Sequence, residues 1–228
     1  MTRKRIPKWE SELWSYISSG DGAHCPFYND CGIRLRGKWC PDDNRENLNR
    51  VLDYEQSEPD FYDSTGCGGC GGIFKMVEML AQKYLEMGKI HSPPVPTALI
   101  ALCDKRHAVE VREVSLKAYH GAIWWLGDRW VIQLNSNEST SKKRFSLFHE
   151  AFHILAHCKA SPAFSSRETL QQGSFNELLA EYFALYISMP REWVREKWAE
   201  VHDLDKIAEI FDVPEPVMCL RLRLLGLI

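Results

Sequence analysis

Apolar positions recur along this chain with two periods, and each period predicts its own kind of element. Trp9, Leu13, Trp14 and Ile17 fall three and four apart, which predicts a short amphipathic helix over 8–18. The same spacing runs through Phe74, Val77, Leu80, Ala81, Tyr84 and Leu85. A longer helix is therefore expected from Ile73 to Met87, with Gly88 as its stop. Val51, Leu52 and Tyr54 close a further helical pattern over 44–54, and Gln56 to Gly72 reads as a polar, glycine-bearing connection. After the rigid Ser92-Pro-Pro-Val-Pro96 the rhythm changes. Val109 to Ala118, Gly121 to Trp125 and Arg129 to Asn135 read as strands, and Gly127-Asp128 signals a hairpin between the last two. Leu99 to Leu102 fits either a strand or a helical segment.

Helical patterning then returns and holds to the end. Residues 143–157 are apolar almost without a break, as in a buried core helix. Ser174 to Met189 forms the next helix, ended by Pro190, and a short one follows from Glu192. Leu204 to Phe211 and Pro214 to Leu225 flank Asp212-Val213 in a helix–turn–helix outline. Arg221 and Arg223 add little positive charge to it, so the pair is read as packing its apolar faces on a core.

Inside the 143–157 helix lies His149-Glu150-Ala151-Phe152-His153, an H-E-x-x-H segment. Positions four apart on a helix differ by about 40° of rotation and one turn of rise, so the two imidazoles point the same way. Neutral imidazole is a good zinc ligand, and the carboxylate between the two can reach a water at the metal. Zinc would lower the pKa of that water and polarise a carbonyl, and Glu150 would take the proton. A solvated helix can carry such residues by chance. The flanking Phe145, Leu147, Phe148, Ile154, Leu155 and Ala156 argue otherwise, because buried His and Glu need partners.

A catalytic zinc takes three protein ligands. On the 174–189 helix, Glu177, Ala180, Glu181 and Ala184 share one face, and the alanines permit close approach to the histidine helix. Glu177 is the candidate third ligand. Glu181, one turn on, would accept the free ring N–H of a ligand histidine. Ser174-Phe175-Asn176-Glu177 also has the form of a capping box, the structural alternative for Glu177. Glu168 is a weaker candidate, in a loop-like stretch. His157 lies about 12 Å along the axis from His149, too far for both to hold one ion. Tyr119 and His120, near a strand end, are candidate donors to a developing oxyanion. One strand of 111–135 should offer an edge on which an extended peptide can pair.

Composition adds limits. The 228 residues suffice for one large or two modest domains, and a net charge of −3 gives no general case for bound nucleic acid. No run of 18 apolar residues and no signal-peptide pattern occurs, so a cytoplasmic location without a membrane span is expected. Eight cysteines then suggest free or metal-bound thiols. Cys25, Cys31, Cys40 and the knuckle-like Cys67-Gly-Gly-Cys70 offer five thiols for a four-coordinate site, either a structural zinc or an iron–sulfur cluster. Scattered free thiols are the bland alternative. Cys103, Cys158 and Cys219 sit in apolar segments and look like core residues.

Arg144 to His157 resembles the R-F-T-x-A-H-E-x-G-H segment of ImmA/IrrE-type metallopeptidases. Glu177-Leu-Leu-Ala-Glu181-Tyr-Phe-Ala184 with Met189-Pro190 is similar to that family's E-x-x-A-N-x-F-A…M-P, and the closing Val213…Arg221-Leu222…Leu225-Gly-Leu227 to its V-S…R-L…L-G-L. Phe152 stands where Gly is usual and is expected to crowd the helix beside the metal. Glu181 stands where Asn is usual. The resemblance covers about residues 73–228 and implies zinc ligands His149, His153 and Glu177, with Glu150 as general base. It also implies a protein substrate, a repressor of the helix–turn–helix type from a mobile element or stress response. The expected architecture is α+β and zincin-like, a small antiparallel or mixed sheet packed on helices over 73–228, behind an N-terminal cysteine-rich module over 1–72. The alternative is a regulatory DNA- or protein-binding module with a structural metal and little proteolysis.

Overall fold

The computed structural model describes residues 6–19, 68–116, 120–159 and 175–228. Helix α1 spans Lys8–Ser19 and α2 spans Gly68–Gly88. A short 3-10 turn, Thr97–Leu102, precedes strands β1 (Ala108–Val114), β2 (Gly121–Trp125) and β3 (Arg129–Asn135). Helices α3 (Thr140–Lys159), α4 (Phe175–Ser188), α5 (Arg191–Val201), α6 (Leu204–Phe211) and α7 (Glu215–Leu224) complete the described chain.

The sheet is mixed. Its order is β1-β3-β2, with β1 parallel and β2 antiparallel to the central β3. β2 and β3 form the expected hairpin. Leu126 N–H donates to Arg129 O at 3.0 Å, and Gly127 between them takes φ 92°, which a residue with a Cβ adopts only at a cost. β1 ends at Val114, four residues before the expected Ala118. The Asn135 side chain carries the pairing a little further, donating to Leu116 O at 3.0 Å. Central β3 is the apolar strand: Trp130, Val131, Ile132 and Leu134 are buried.

Helices α3 and α4 pack together, α2 lies on α4, and α3 runs against β2 and β3. Ser139, in the polar loop after β3, caps α3 by accepting from Lys142 N–H. Arg144 then clamps the first turns of α3. It donates to Val95 O at 2.6 Å and pairs with Asp212 at 2.8 Å, so the helix is tied both to the proline connector and to the α6–α7 turn. The C-terminal pair packs as expected: Ile207, Phe211, Met218 and Leu222 are buried, and so is Arg221, whose Nε donates to Met189 O.

Three expectations change. Leu13, Trp14 and Ile17 of α1 enter the same core as α2 and α3, with the Trp14 ring 6.3 Å from that of Phe152. Residues 8–19 therefore help to build the main core and do not stand apart in a module over 1–72, because their apolar face finds its cover there. Phe152 packs mainly in the core, with its ring edge-to-face with that of His153 at 6.4 Å. It is fully buried between Trp14 and Phe183, filling space that a glycine would leave empty. Finally, α2 begins at Gly68, so the glycines of the knuckle-like segment form its first turn. Cys25, Cys31, Cys40 and Cys67, the helix expected over 44–54, Tyr119 and Glu168 lie outside the described residues, and nothing describes the Cys70 side chain.

Candidate metal centre

His149 and His153 project from one side of α3 towards Glu177, which lies in the first turn of α4. Glu177 Oε2 is 3.1 Å from His149 Nε2, and its Oε1 is 3.3 Å from His153 Nε2. The two imidazole Nε2 atoms are 3.3 Å apart. A tetrahedral ion with ligand bonds of about 2.0–2.1 Å holds its donors about 3.3–3.4 Å from one another. The triangle of two nitrogens and one oxygen thus has the edges of such a site. Among the described residues, this is the group of His, Cys, Asp and Glu that could hold a metal ion. Glu177 lies close to both imidazoles, while Ser174, its partner in the capping alternative, lies outside the described residues.

The electrostatics agree with the geometry. Burial pushes the Glu177 carboxyl up, but hydrogen bonds and charge from His149 and His153 outweigh it and hold the group well below the usual carboxylate range. For His153, burial works against the charged form. The hydrogen bond and charge of Glu177, with the charge of Glu150, reverse that and raise the ring overall. Glu177 is thus kept ionised, and a carboxylate converging with two imidazoles is a donor set that suits a metal ion.

Glu150 is buried, and burial is the largest reason its carboxyl is raised, with the imidazoles opposing. It faces the start of β2. A Cβ placed on Gly121 would come within 2.8 Å of Glu150 Oε1. The edge strand therefore runs directly over the carboxylate. Gly121 was not singled out from the sequence. The available signal was a glycine opening a strand, which often marks a close approach.

The remaining candidates are placed as follows. His120 precedes Gly121, is exposed, and its Nδ1 is hydrogen-bonded to Glu138. Glu181 does not bond either imidazole; their described partners are Glu177 and each other. It lines a crevice with Phe145, Tyr182, Leu185, Val217, Leu220 and Leu224. The reason is the direction of packing. One turn forward on α4 lies opposite one turn back on α3, at Phe145, and no histidine stands there. His157 packs edge-to-face on Trp130 at 4.7 Å. Cys103 is buried as expected, whereas Cys158 is exposed at the end of α3.

An α+β fold with paired imidazoles and a carboxylate on adjacent helices defines the class of metallopeptidase-like domains. A family model described as the IrrE N-terminal-like domain, peptidase family M78, matches residues 104–223, and the chain belongs to that family. The fold is similar to that of a Mycobacterium tuberculosis transcriptional regulator, with 16% identity and a TM-score of 0.50. That match covers 78% of this chain and 51% of the other, so the chain spans about half the length of that relative. No curated protein matches the chain. No helix among the described residues is long and apolar enough to cross a membrane.

Proposed function

We propose that the protein is a zinc-dependent endopeptidase acting on a repressor of the helix–turn–helix type in the cytoplasm. The observation that carries this reading is the donor triangle of His149, His153 and Glu177, whose edges of 3.1, 3.3 and 3.3 Å suit one tetrahedral ion, with buried Glu150 on the same helix. A bound zinc supplies a water of lowered pKa and a Lewis acid for a carbonyl. Glu150 accepts the proton of the attacking water and returns it to the leaving amine. Its burial favours the protonated form between these steps. The start of β2 gives an extended substrate a backbone to pair with next to this carboxylate. His120 and Tyr119 are proposed as donors to the developing oxyanion, with Glu138 orienting the His120 ring.

Glu150→Gln tests the mechanism. Zinc content, measured by plasma emission, should stay near one equivalent at this site, while cleavage falls by at least about a hundredfold. Cleavage by that variant at the wild-type rate would overturn the reading, as would a Glu177→Ala variant that binds zinc with unchanged affinity. The thiols of Cys25, Cys31, Cys40, Cys67 and Cys70 are proposed to hold a second zinc or an iron–sulfur cluster. Paired Cys67→Ser and Cys70→Ser substitutions should then release metal without touching the first site. Unchanged total metal in that variant would remove the proposal.

A further inference from the structure

A cleft of about 470 Å³ opens one turn beyond His153, between α2, the 103–107 loop, the hairpin and the end of α3. Its volume falls in the range of small-molecule sites. Trp130 is buried in its floor, while Trp125 lines the cleft and is 39% exposed, so part of its indole is accessible to a ligand. The rings are mutually braced: Trp125 lies 4.8 Å from Trp130 and 4.7 Å from His107. A braced, exposed indole is a stacking platform that loses little entropy on binding.

The charged groups divide into those already committed and those still available. Asp104 is fully engaged, accepting from the Arg106 N–H at 2.8 Å, Trp130 Nε1 at 3.0 Å and Cys158 Sγ at 3.3 Å, and meeting His107 Nδ1 at 2.8 Å. Its oxygens are thus satisfied by hydrogen bonds within the wall. Lys83 is held by Glu10 at 2.5 Å. The Lys105 ammonium and Arg106 guanidinium, both exposed on the rim, make no ion pair or hydrogen bond among the described residues. The cleft thus combines an aromatic platform with two adjacent cations seeking an anion.

We propose that this cleft binds a mononucleotide, its base stacked on Trp125 and its phosphate held by Lys105 and Arg106. A planar ring alone would leave the two cations unused, and a simple anion would leave the indole unused. The phosphate dianion suits a pair of cations better than a single carboxylate does. The inference is independent of the peptidase reading, since it uses none of the groups around the metal centre.

Isothermal titration of the full-length protein with AMP, GMP, CMP and UMP tests it. At least one should bind saturably, one per chain, with its nucleoside and inorganic phosphate each weaker by about tenfold or more. Trp125→Ala and the double substitution Lys105→Ala/Arg106→Ala should each weaken that binding by about tenfold in protein that still melts in one cooperative transition. Lys105 and Arg106 are exposed, so the double variant should also keep the wild-type thermal midpoint, which separates lost binding from unfolding. Absence of binding by all four nucleotides overturns the proposal, as does wild-type affinity in both variants. Phosphate binding as tightly as the nucleotide would make the cleft an anion subsite only. A single-stranded oligonucleotide binding tenfold tighter than any mononucleotide would make it a nucleic-acid groove instead.

Discussion

Gly121→Ala is the perturbation that most directly probes how β2 positions Glu150. Gly121 lies outside the left-handed backbone region, so alanine fits its dihedral angles. The new methyl would meet Glu150 Oε1 at 2.8 Å, Cγ at 3.3 Å and Cδ at 3.4 Å. Relaxed contacts need about 3.5 Å, so something must yield by roughly 0.5–1 Å. The carboxylate is the free end of a side chain, whereas β2 is fixed to β3 by its ladder. Glu150 should therefore move, and the strand should stay. A misplacement near 1 Å costs about a hundredfold in rate, so kcat/KM is expected to fall by about 10- to 100-fold. Stability should change little: the stiffer unfolded chain contributes about 0.4–1 kcal/mol and offsets a mild clash. The assay is cleavage of the quenched fluorescent peptide that the wild-type enzyme cuts best from a library, alongside zinc content and thermal melting. Wild-type cleavage in a folded, zinc-loaded variant would refute the reasoning. So would a fall in Tm of 10 °C or more, on the order of 3 kcal/mol for a chain of this size, since that would mean the backbone yielded.

Two further outcomes follow from the core and the 103–107 loop. Phe152→Ala should lower stability by about 3–5 kcal/mol in urea unfolding, because the ring is fully buried between Trp14 and Phe183; a loss below about 1 kcal/mol would mean that α1 does not cover this ring. Asp104 is subject to burial, which raises its carboxyl, but hydrogen bonds from His107, Arg106 N–H, Trp130 and Cys158 prevail and hold it well below the ordinary carboxylate range. A group depressed in the folded state contributes stability above its unfolded pKa, about 3.9, and loses it as pH falls below that value. Asp104→Asn should thus cost about 2–3 kcal/mol at pH 7, and the gap to wild type should narrow between pH 5 and pH 2.5; a gap independent of pH would show that Asp104 carries no such charge.

The amino-acid sequence by itself determined the type of most elements and the local half of the candidate metal site. The i, i+4 spacing of His149 and His153 places both rings on one side of any α-helix, because backbone geometry alone sets that relation. The same is true of the presence and type of the strands and helices, which follow a repeat within a few neighbouring residues, whereas limits such as the end of β1 at Val114 and the start of α2 at Gly68 do not. The candidate role of Glu177 was legible for a weaker reason, the ligand count of zinc, since nothing local fixes what lies 28 residues away. Only the tertiary structure could decide the rest. The direction in which α4 crosses α3 sets Glu181 against Phe145 instead of an imidazole. The approach of β2 to α3 brings Gly121 against the Glu150 carboxylate, and the docking of α1 turns Phe152 into a core side chain. Each depends on which surfaces bury one another. That outcome belongs to the packing of the whole core, and no repeat within a single element encodes it.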